Sequence, residues 1–419
     1  MKKVLIITYY FPPSNDVAVH RILRIGKWLP RYGWEPVILT PDYTFTERVD
    51  DDNLKFVGKY FRNVYRCSGT LEKTLVSIAD KRKRNILARL IRWQLLYKLN
   101  PDMSILWMRK AVSEGLRIIE EQKIDAIWAT IGPPTTGLIG AELKKKSNVP
   151  LLIDYRDPWT LNPYLKYTRE RLQRNIELEQ EMLSQADTVI ATSESIKDTL
   201  VNNGYSDPGN TFVITNGFDE ELQWIRNDVE ETVLDKNKFH ITYAGAFYGD
   251  RQPFSFIDGI KYLVEEYPQY KKIIKFNIVG NKDPSGKIKE YFQNAGLDGI
   301  LSETGLVSYR SAMQYLKQSD LLLLVNGRNP ESKIFIPGKL FDYMAVRKPI
   351  LFIGEGEPAA IITETGIGLS VPHDPILIAK SLLKFINKNI IVSGVKSDKL
   401  INYGSDKVSG KLAILLHKL

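Results

Sequence analysis

The chain has 419 residues, with 58 Lys and Arg against 49 Asp and Glu, a formal net charge of +9. At roughly 100–200 residues per domain this length predicts two or three domains, and 43 % apolar with 26 % charged residues is the balance of a chain that buries a core. Disordered, collagenous and disulfide-scaffold chains are excluded, and the single cysteine, Cys67, favours a reducing compartment.

Short apolar, β-branched runs alternate with longer helical patterns from the first residues onward. Val4–Thr8 reads as a buried strand, 17–29 as a helix, and Pro36–Thr40, Ala126–Thr130, Leu151–Asp154, Thr188–Thr192 and Phe212–Thr215 as further strands. Helices are expected near 108–122, 135–146, 169–185 and 194–202. The polar, acidic stretch Asn216–Lys238 reads as a hinge, and the pattern then restarts. Strands are expected at His240–Ala244, Ile274–Val279, Leu321–Val325, Ile350–Ile353 and Gly368–Val371, with helices near 254–266, 308–318, 339–347, 358–364 and 375–387. A last helix near 405–417 lies beyond the second series and is expected to pack back on the first domain. The alternation implies parallel sheets covered by helices on both faces: an α/β chain of two Rossmann-like, doubly wound domains, 1–217 and 218–404. No apolar run approaches the ~20 residues that span a bilayer. The opening Val4-Leu5-Ile6-Ile7 run meets Tyr9-Tyr10-Phe11-Pro12-Pro13 without a small-residue cleavage site, so a cytoplasmic location is expected.

Parallel sheets bind ligands beyond the carboxyl ends of their strands. After the first strand comes Phe11-Pro12-Pro13-Ser14-Asn15-Asp16, neither a dinucleotide glycine fingerprint nor a Walker A loop. The second series opens with Tyr243-Ala244-Gly245-Ala246-Phe247, followed by Gly249-Asp250-Arg251. Its glycines permit close backbone approach, and Arg251 has the chemistry to pair with phosphate. A further glycine, Gly280, follows the next strand. Pro337-Gly338 opens a helix whose amides can hold an anion. On that helix Lys339 and Asp342 are three apart and share a face, a cation for phosphate beside a carboxylate for ribose hydroxyls. In the first domain Asp154-Tyr155-Arg156-Asp157-Pro158-Trp159 leaves a strand directly. Two carboxylates around an arginine there suit either substrate positioning or a structural ion pair.

These residues resemble the glycosyltransferases of family 4 with the GT-B fold, in order over nearly the whole chain. The likeness rests on Ile6-Ile7-Thr8-Tyr9-Tyr10-Phe11-Pro12-Pro13, Asp154-Tyr155-Arg156-Asp157-Pro158-Trp159, Ala186-Asp187 with Thr192-Ser193, Thr215-Asn216-Gly217-Phe218-Asp219, and Lys339-Leu340-Phe341-Asp342-Tyr343-Met344-Ala345 leading to Lys348-Pro349-Ile350. It looks most like the type that builds bacterial surface polysaccharides, such as lipopolysaccharide or capsule. The resemblance implies two domains about a central cleft, and a retaining, metal-independent transfer of a hexosyl or N-acetylhexosaminyl group. The donor would be an NDP-sugar, UDP-linked, held mainly by the C-terminal domain through Gly245, Arg251, Gly280, Gly338, Lys339 and Asp342. The acceptor, a glycan or lipid-linked sugar, would be held by Ser14, Asn15, His20 and Arg156. The residues expected at the chemistry are Arg156, Asp157, Arg251 and Lys339, with no cofactor. Two departures leave room for an NDP-sugar-binding protein without transfer, or an epimerase or hydrolase. Ile334 stands eight residues before Asp342, where the family has an acid, and Ala246 replaces the first of two cations.

Asp50-Asp51-Asp52 has the D-x-D spacing of metal-dependent transferases of another fold, but it reads as a polar loop away from any strand end. The histidines His20, His240, His373 and His417 have no close partner at metal-ligand spacing, so no metal is expected. The charge itself is local. Residues 1–200 hold 32 basic and 24 acidic side chains, and 81–110 alone hold nine against one. There Arg82, Arg84, Arg89 and Arg92 are interleaved with Trp93 and other apolar residues, a pattern suited to an anionic membrane surface rather than nucleic acid. The expectation is a peripheral protein on the inner face of the cytoplasmic membrane.

Overall fold

A computed structural model of the chain describes residues 1–14, 16–42, 51–69, 99–219, 234–247, 249–280, 285–388 and 397–419. Asn15, Arg82, Arg84, Arg89, Arg92 and Trp93, together with Asp50 and 220–233 of the expected hinge, lie outside the described residues. The chain divides into two compact units: Met1–Gly217 with Ser405–Leu419, and Phe218–Gly404.

The first unit is a seven-stranded parallel sheet. Its strands are β1 (Lys2–Ile7), β2 (Trp34–Thr40), β3 (Asn63–Arg66), β4 (Ala126–Ile131), β5 (Leu151–Tyr155), β6 (Thr188–Ala191) and β7 (Thr211–Val213), in the order β3-β2-β1-β4-β5-β6-β7. Val4, Leu5, Ile6 and Ile7 are all fully buried, because both faces of the sheet are covered. On one face α1 (Val19–Gly26) and the C-terminal α13 (Ser405–Lys418) pack on Val4, Ile6 and Ile38. On the other α3 (Ile105–Gln122), α4 (Thr135–Ser147) and α5 (Arg169–Ser184) pack on Leu5, Ile7 and Leu39. Side-chain caps set two helix starts: Thr168 accepts from the Arg171 amide ahead of α5, and Ser193 from the Ile196 amide ahead of α6 (Glu194–Asn202).

The second unit repeats the plan with β8 (Phe239–Ala244), β9 (Ile274–Val279), β10 (Leu301–Gly305), β11 (Leu321–Val325), β12 (Ile350–Ile353) and β13 (Gly368–Val371), in the order β10-β9-β8-β11-β12-β13. On one face α7 (Phe254–Glu266), α8 (Lys287–Asn294) and α12 (Pro375–Ile386) enclose Ile241, Phe276 and Ile278. On the other α9 (Tyr309–Gln318), α10 (Lys339–Val346) and α11 (Glu357–Thr365) enclose Leu322, Leu324 and Phe352. Both sheets are parallel and doubly wound, the class expected from the sequence. Their strand order reverses between β1 and β4 and between β8 and β11, so the loops after β1 and β8 open at switch points, where such sheets take ligands.

Two strands are absent from the sequence reading, β3 and β10. Both are sheet edges, and their residues Asn-Val-Tyr-Arg and Leu-Ser-Glu-Thr-Gly are at most partly buried. An edge strand need not be apolar throughout, so it carries no continuous hydrophobic run. Also unread were α2 (Asp51–Tyr60) and α8, both short. Asp51 and Asp52 open α2 rather than lying in a loop, which corrects the reading of that acidic triplet.

Candidate functional site

In the second unit the candidate residues gather at the carboxyl ends of the strands. Gly245 leaves β8 at φ +111°, and a Cβ there would stand 3.0 Å from the Lys339 ammonium. Gly280 leaves β9 at φ +128°, and a Cβ on it would press 3.1–3.3 Å against the Gly245 backbone. Both positions therefore demand glycine for conformation and for space. Gly338, ahead of α10, has ordinary helical φ, and a Cβ there would meet nothing within 4 Å. The first turn of α10 is open on that side.

Lys339 is the first residue of α10. Its Nζ donates to the Tyr243 hydroxyl at 2.6 Å and lies 3.8 Å from the centre of that ring. Burial strips water from the ammonium, and the nearby Arg251 guanidinium opposes a second positive charge; together they outweigh Asp342 and bring Lys339 down to about 7. Arg251 lies over the Phe335 ring at 5.7 Å. Its predecessor Asp250 accepts from the Asn329 amide at 3.1 Å, which ties the β8 loop to the loop after β11. Asp342, one turn into α10, accepts from the Tyr309 hydroxyl at 2.9 Å.

Several participants were not read from the sequence. Tyr243 accepts from Lys339, donates to the Ala246 carbonyl at 3.0 Å and stacks on Phe247 at 3.8 Å. Tyr343 donates to the Leu323 carbonyl and accepts from the Ala244 amide, joining α10 to β11 and β8. His373 pairs Nε2 with the Asn326 carbonyl at 3.1 Å and Nδ1 with Ser255 at 2.8 Å. Burial, then Arg328, lower its proton affinity. His240 is a satisfied core histidine, bonded to the Asp235 carbonyl and Asn277. The only available signal was position, a polar ring at the end of a strand or the start of a helix.

In the first unit the Asp154–Arg156–Asp157 group separates. Asp154 is fully buried and spent on an ion pair with Arg21, with a further bond from Trp128 Nε1 at 3.1 Å. Arg21 also donates to the Ile214 and Thr215 carbonyls and to Asn216 Oδ1. For Asp154 the structural reading is the right one. Arg156 is half-buried, passes close to Gly132 and donates to the Ala18 carbonyl at 3.4 Å; Asp157 is exposed. Desolvation lowers Arg156, while Asp157, Asp154 and Asp16 oppose the shift. Ser14 is buried, and its hydroxyl accepts from the Asp16 amide at 3.3 Å; His20, second in α1, is half-buried. Two further residues join this end of the sheet. Burial, then Asp16 and Asp102, push the Tyr10 hydroxyl up to about 12. Asp102 is raised by burial and accepts from Thr135 N, Thr135 Oγ1 and Ser104 N.

Among the described residues no group of three His, Cys, Asp or Glu side chains is arranged to hold a metal ion. No helix among them is long and apolar enough to cross a membrane.

Comparison with known proteins agrees with this architecture. Residues 18–222 match the Glycosyltransferase Family 4 domain and residues 238–388 the Glycosyl transferases group 1 domain. Among solved structures, a glycosyltransferase from Rickettsia africae aligns over 100 % of this chain and 98 % of its own, at 14 % identity and TM-score 0.66. Anabaena Alr3699/HepE in complex with UDP aligns over 100 % of both chains, at 16 % identity and TM-score 0.66. Sucrose-phosphate synthase from Thermosynechococcus elongatus aligns over 100 % of this chain and 99 % of its own, at 14 % identity and TM-score 0.65. No significant match was found among curated protein sequences. With one family domain on each parallel sheet, in order, the chain belongs to the family 4 glycosyltransferases of the GT-B fold class.

Proposed function

We propose that this glycosyltransferase moves a sugar from a UDP-linked donor, with retention of anomeric configuration and without a metal ion. Its acceptor is a glycan or lipid-linked sugar in cell-surface polysaccharide synthesis. The observation that carries the donor side is the convergence of Lys339 and Arg251 beside Gly245, at the open first turn of α10. When a glycosidic bond to a nucleotide breaks, positive charge grows on the sugar ring and negative charge on the departing diphosphate. Fixed cations and helix-end amides at that diphosphate stabilise the transition state more than the ground state. Asp342, held by Tyr309, supplies a carboxylate for ribose hydroxyls. The choice of UDP is supported by the similarly folded Anabaena protein, described in complex with UDP.

Acceptor binding is assigned to Ser14, Asn15, His20 and Arg156 of the first unit, with Arg156 and Asp157 nearest the transferred group. The basic segment 81–110 is assigned to an anionic membrane surface, which places the protein on the inner face of the cytoplasmic membrane, close to a lipid-linked acceptor.

A panel of NDP-sugars incubated with membrane lipid extract tests this reading. NDP release that requires the extract supports transfer. A second reading, donor binding without transfer or donor hydrolysis or epimerisation, is favoured by the uncharged Ala246 and Ile334. Under that reading the extract would make no difference, and an epimerised donor would appear if the reaction is epimerisation.

A further inference from the structure

Lys339 is a half-buried cation whose one hydrogen-bond partner among the described residues is a neutral hydroxyl. Among the described residues, Arg251 and Asp342 are the charged groups that act on it. Arg251, on the β8 loop, shares its sign, and Asp342 stands one turn along α10 but is already bonded by Tyr309. Tyr243, at the end of β8, is beneath the ammonium. The Tyr243 proton is committed to the Ala246 carbonyl, so its oxygen can only accept from Lys339. The ring is in turn held flat against Phe247 by stacking at 13° between planes. Among the described residues the seat of the cation is a neutral hydroxyl and a ring face, and the two glycines let Lys339 and the neighbouring backbone approach this closely.

We propose that Tyr243 is the positioning residue of the donor site, seating Lys339 on a neutral hydroxyl so that arrival of the donor diphosphate draws a proton from solvent onto Nζ. The inference rests on the donor reading above and adds its pH regulation. The physical reason is linkage. Partly desolvated and beside Arg251, the free ammonium is poised near neutrality, at about 7. A diphosphate brought against it offsets the desolvation and the like charge, so the bound state holds the proton more firmly. Donor affinity is then constant below about pH 7 and falls as pH rises above it, by up to tenfold per pH unit, until the bound form also titrates. The hydroxyl of Tyr243 stabilises the charged form, so its loss moves the onset of this fall to lower pH, by roughly one unit.

The test is calorimetry of the full chain with UDP-glucose and with UDP-N-acetylglucosamine, whose diphosphates do not titrate near neutrality. It is run from about pH 6 to about pH 8.5 in two buffers of different ionisation enthalpy. The expected result is uptake of up to one proton on binding above about pH 7, together with the stated fall in affinity. Tyr243→Phe keeps the ring and the stack; its binding should show the same fall beginning at lower pH. Binding of either donor with no proton uptake and a flat pH profile in the unmodified protein would overturn this inference and leave the donor reading standing. Absence of binding by both donors and by UDP would overturn the donor reading, and this inference with it. A Tyr243→Phe profile that coincides with the unmodified one, in a protein of unchanged melting temperature, would remove the positioning role.

Discussion

Arg21 and Asp154 form a bidentate ion pair inside the first unit, with Nε and Nη2 each 2.8 Å from a carboxylate oxygen and both side chains at most 2 % exposed. The pair joins α1 to the end of β5. Through its other donors Arg21 also holds the carbonyls of Ile214 and Thr215, where the chain leaves β7, and Arg24 holds that of Gly217 at 3.2 Å. A buried charge that loses its partner is costly. Asp154→Ala should therefore lower the stability of the first unit by about 3–5 kcal/mol, read from its denaturant midpoint. Arg21→Met combined with Asp154→Leu should recover part of that loss, since no charge is then left uncompensated.

Lys339 and Asp342 are assigned different work on one helix face. Lys339→Met should cut kcat/KM for donor by about 100- to 1000-fold, the usual effect of removing one group that stabilises developing negative charge. Asp342→Asn should act mainly on donor KM, with a smaller change in kcat. Tyr309→Phe should follow Asp342→Asn weakly, because it removes one hydrogen bond to that carboxylate. Steady-state NDP release separates the three, and unchanged donor kinetics in the first two would remove both residues from the site.

The glycines differ in a testable way. Gly245→Ala places a methyl group 3.0 Å from Lys339 Nζ at a φ of +111°, so it should weaken donor binding and cost at least about 1 kcal/mol of stability. Gly338→Ala meets open space at ordinary helical φ and should fold with stability changed by less than about 1 kcal/mol. Thermal melts and donor affinities of the two variants make the comparison.

His373 sets an acid limit on the second unit. Its folded proton affinity is lowered from the ordinary 6.5, first by burial and then by Arg328. The unfolded chain therefore takes up this proton first as pH falls. The stabilising contribution of neutral His373 is complete above about pH 6.5 and is lost as pH drops through the lower folded value. His373→Asn should flatten the dependence of melting temperature on pH between about 5 and 7; an unchanged slope would show that other groups control it.

Membrane contact through residues 81–110 predicts binding to anionic liposomes that weakens with salt. Each basic residue near the surface contributes about 1 kcal/mol. Arg89→Gln with Arg92→Gln should reduce partitioning by roughly tenfold or more on that scale. Full recovery of the protein in a low-salt soluble fraction, without liposome binding, would count against it.

The sequence by itself determined the architecture. Runs such as Val4–Ile7 and Leu321–Val325 are long enough and apolar enough to be buried on both faces, and only a parallel sheet between helix layers buries them so. The edge strands β3 and β10 escaped because they are only partly buried and carry no such run. For the proposed donor site, order along the chain singled out Gly245, Arg251, Lys339 and Asp342 as candidates, since strand ends and helix starts are where ligands meet a doubly wound sheet. What those side chains do to one another was decided by the tertiary structure alone. Asp154 and Asp157 look alike in sequence, yet one is buried against Arg21, 133 positions away, and the other is exposed. Lys339 and Tyr243, 96 residues apart, meet only because α10 begins where β8 ends. Charge state follows from burial and neighbours in space, and a linear sequence specifies neither until the chain has folded.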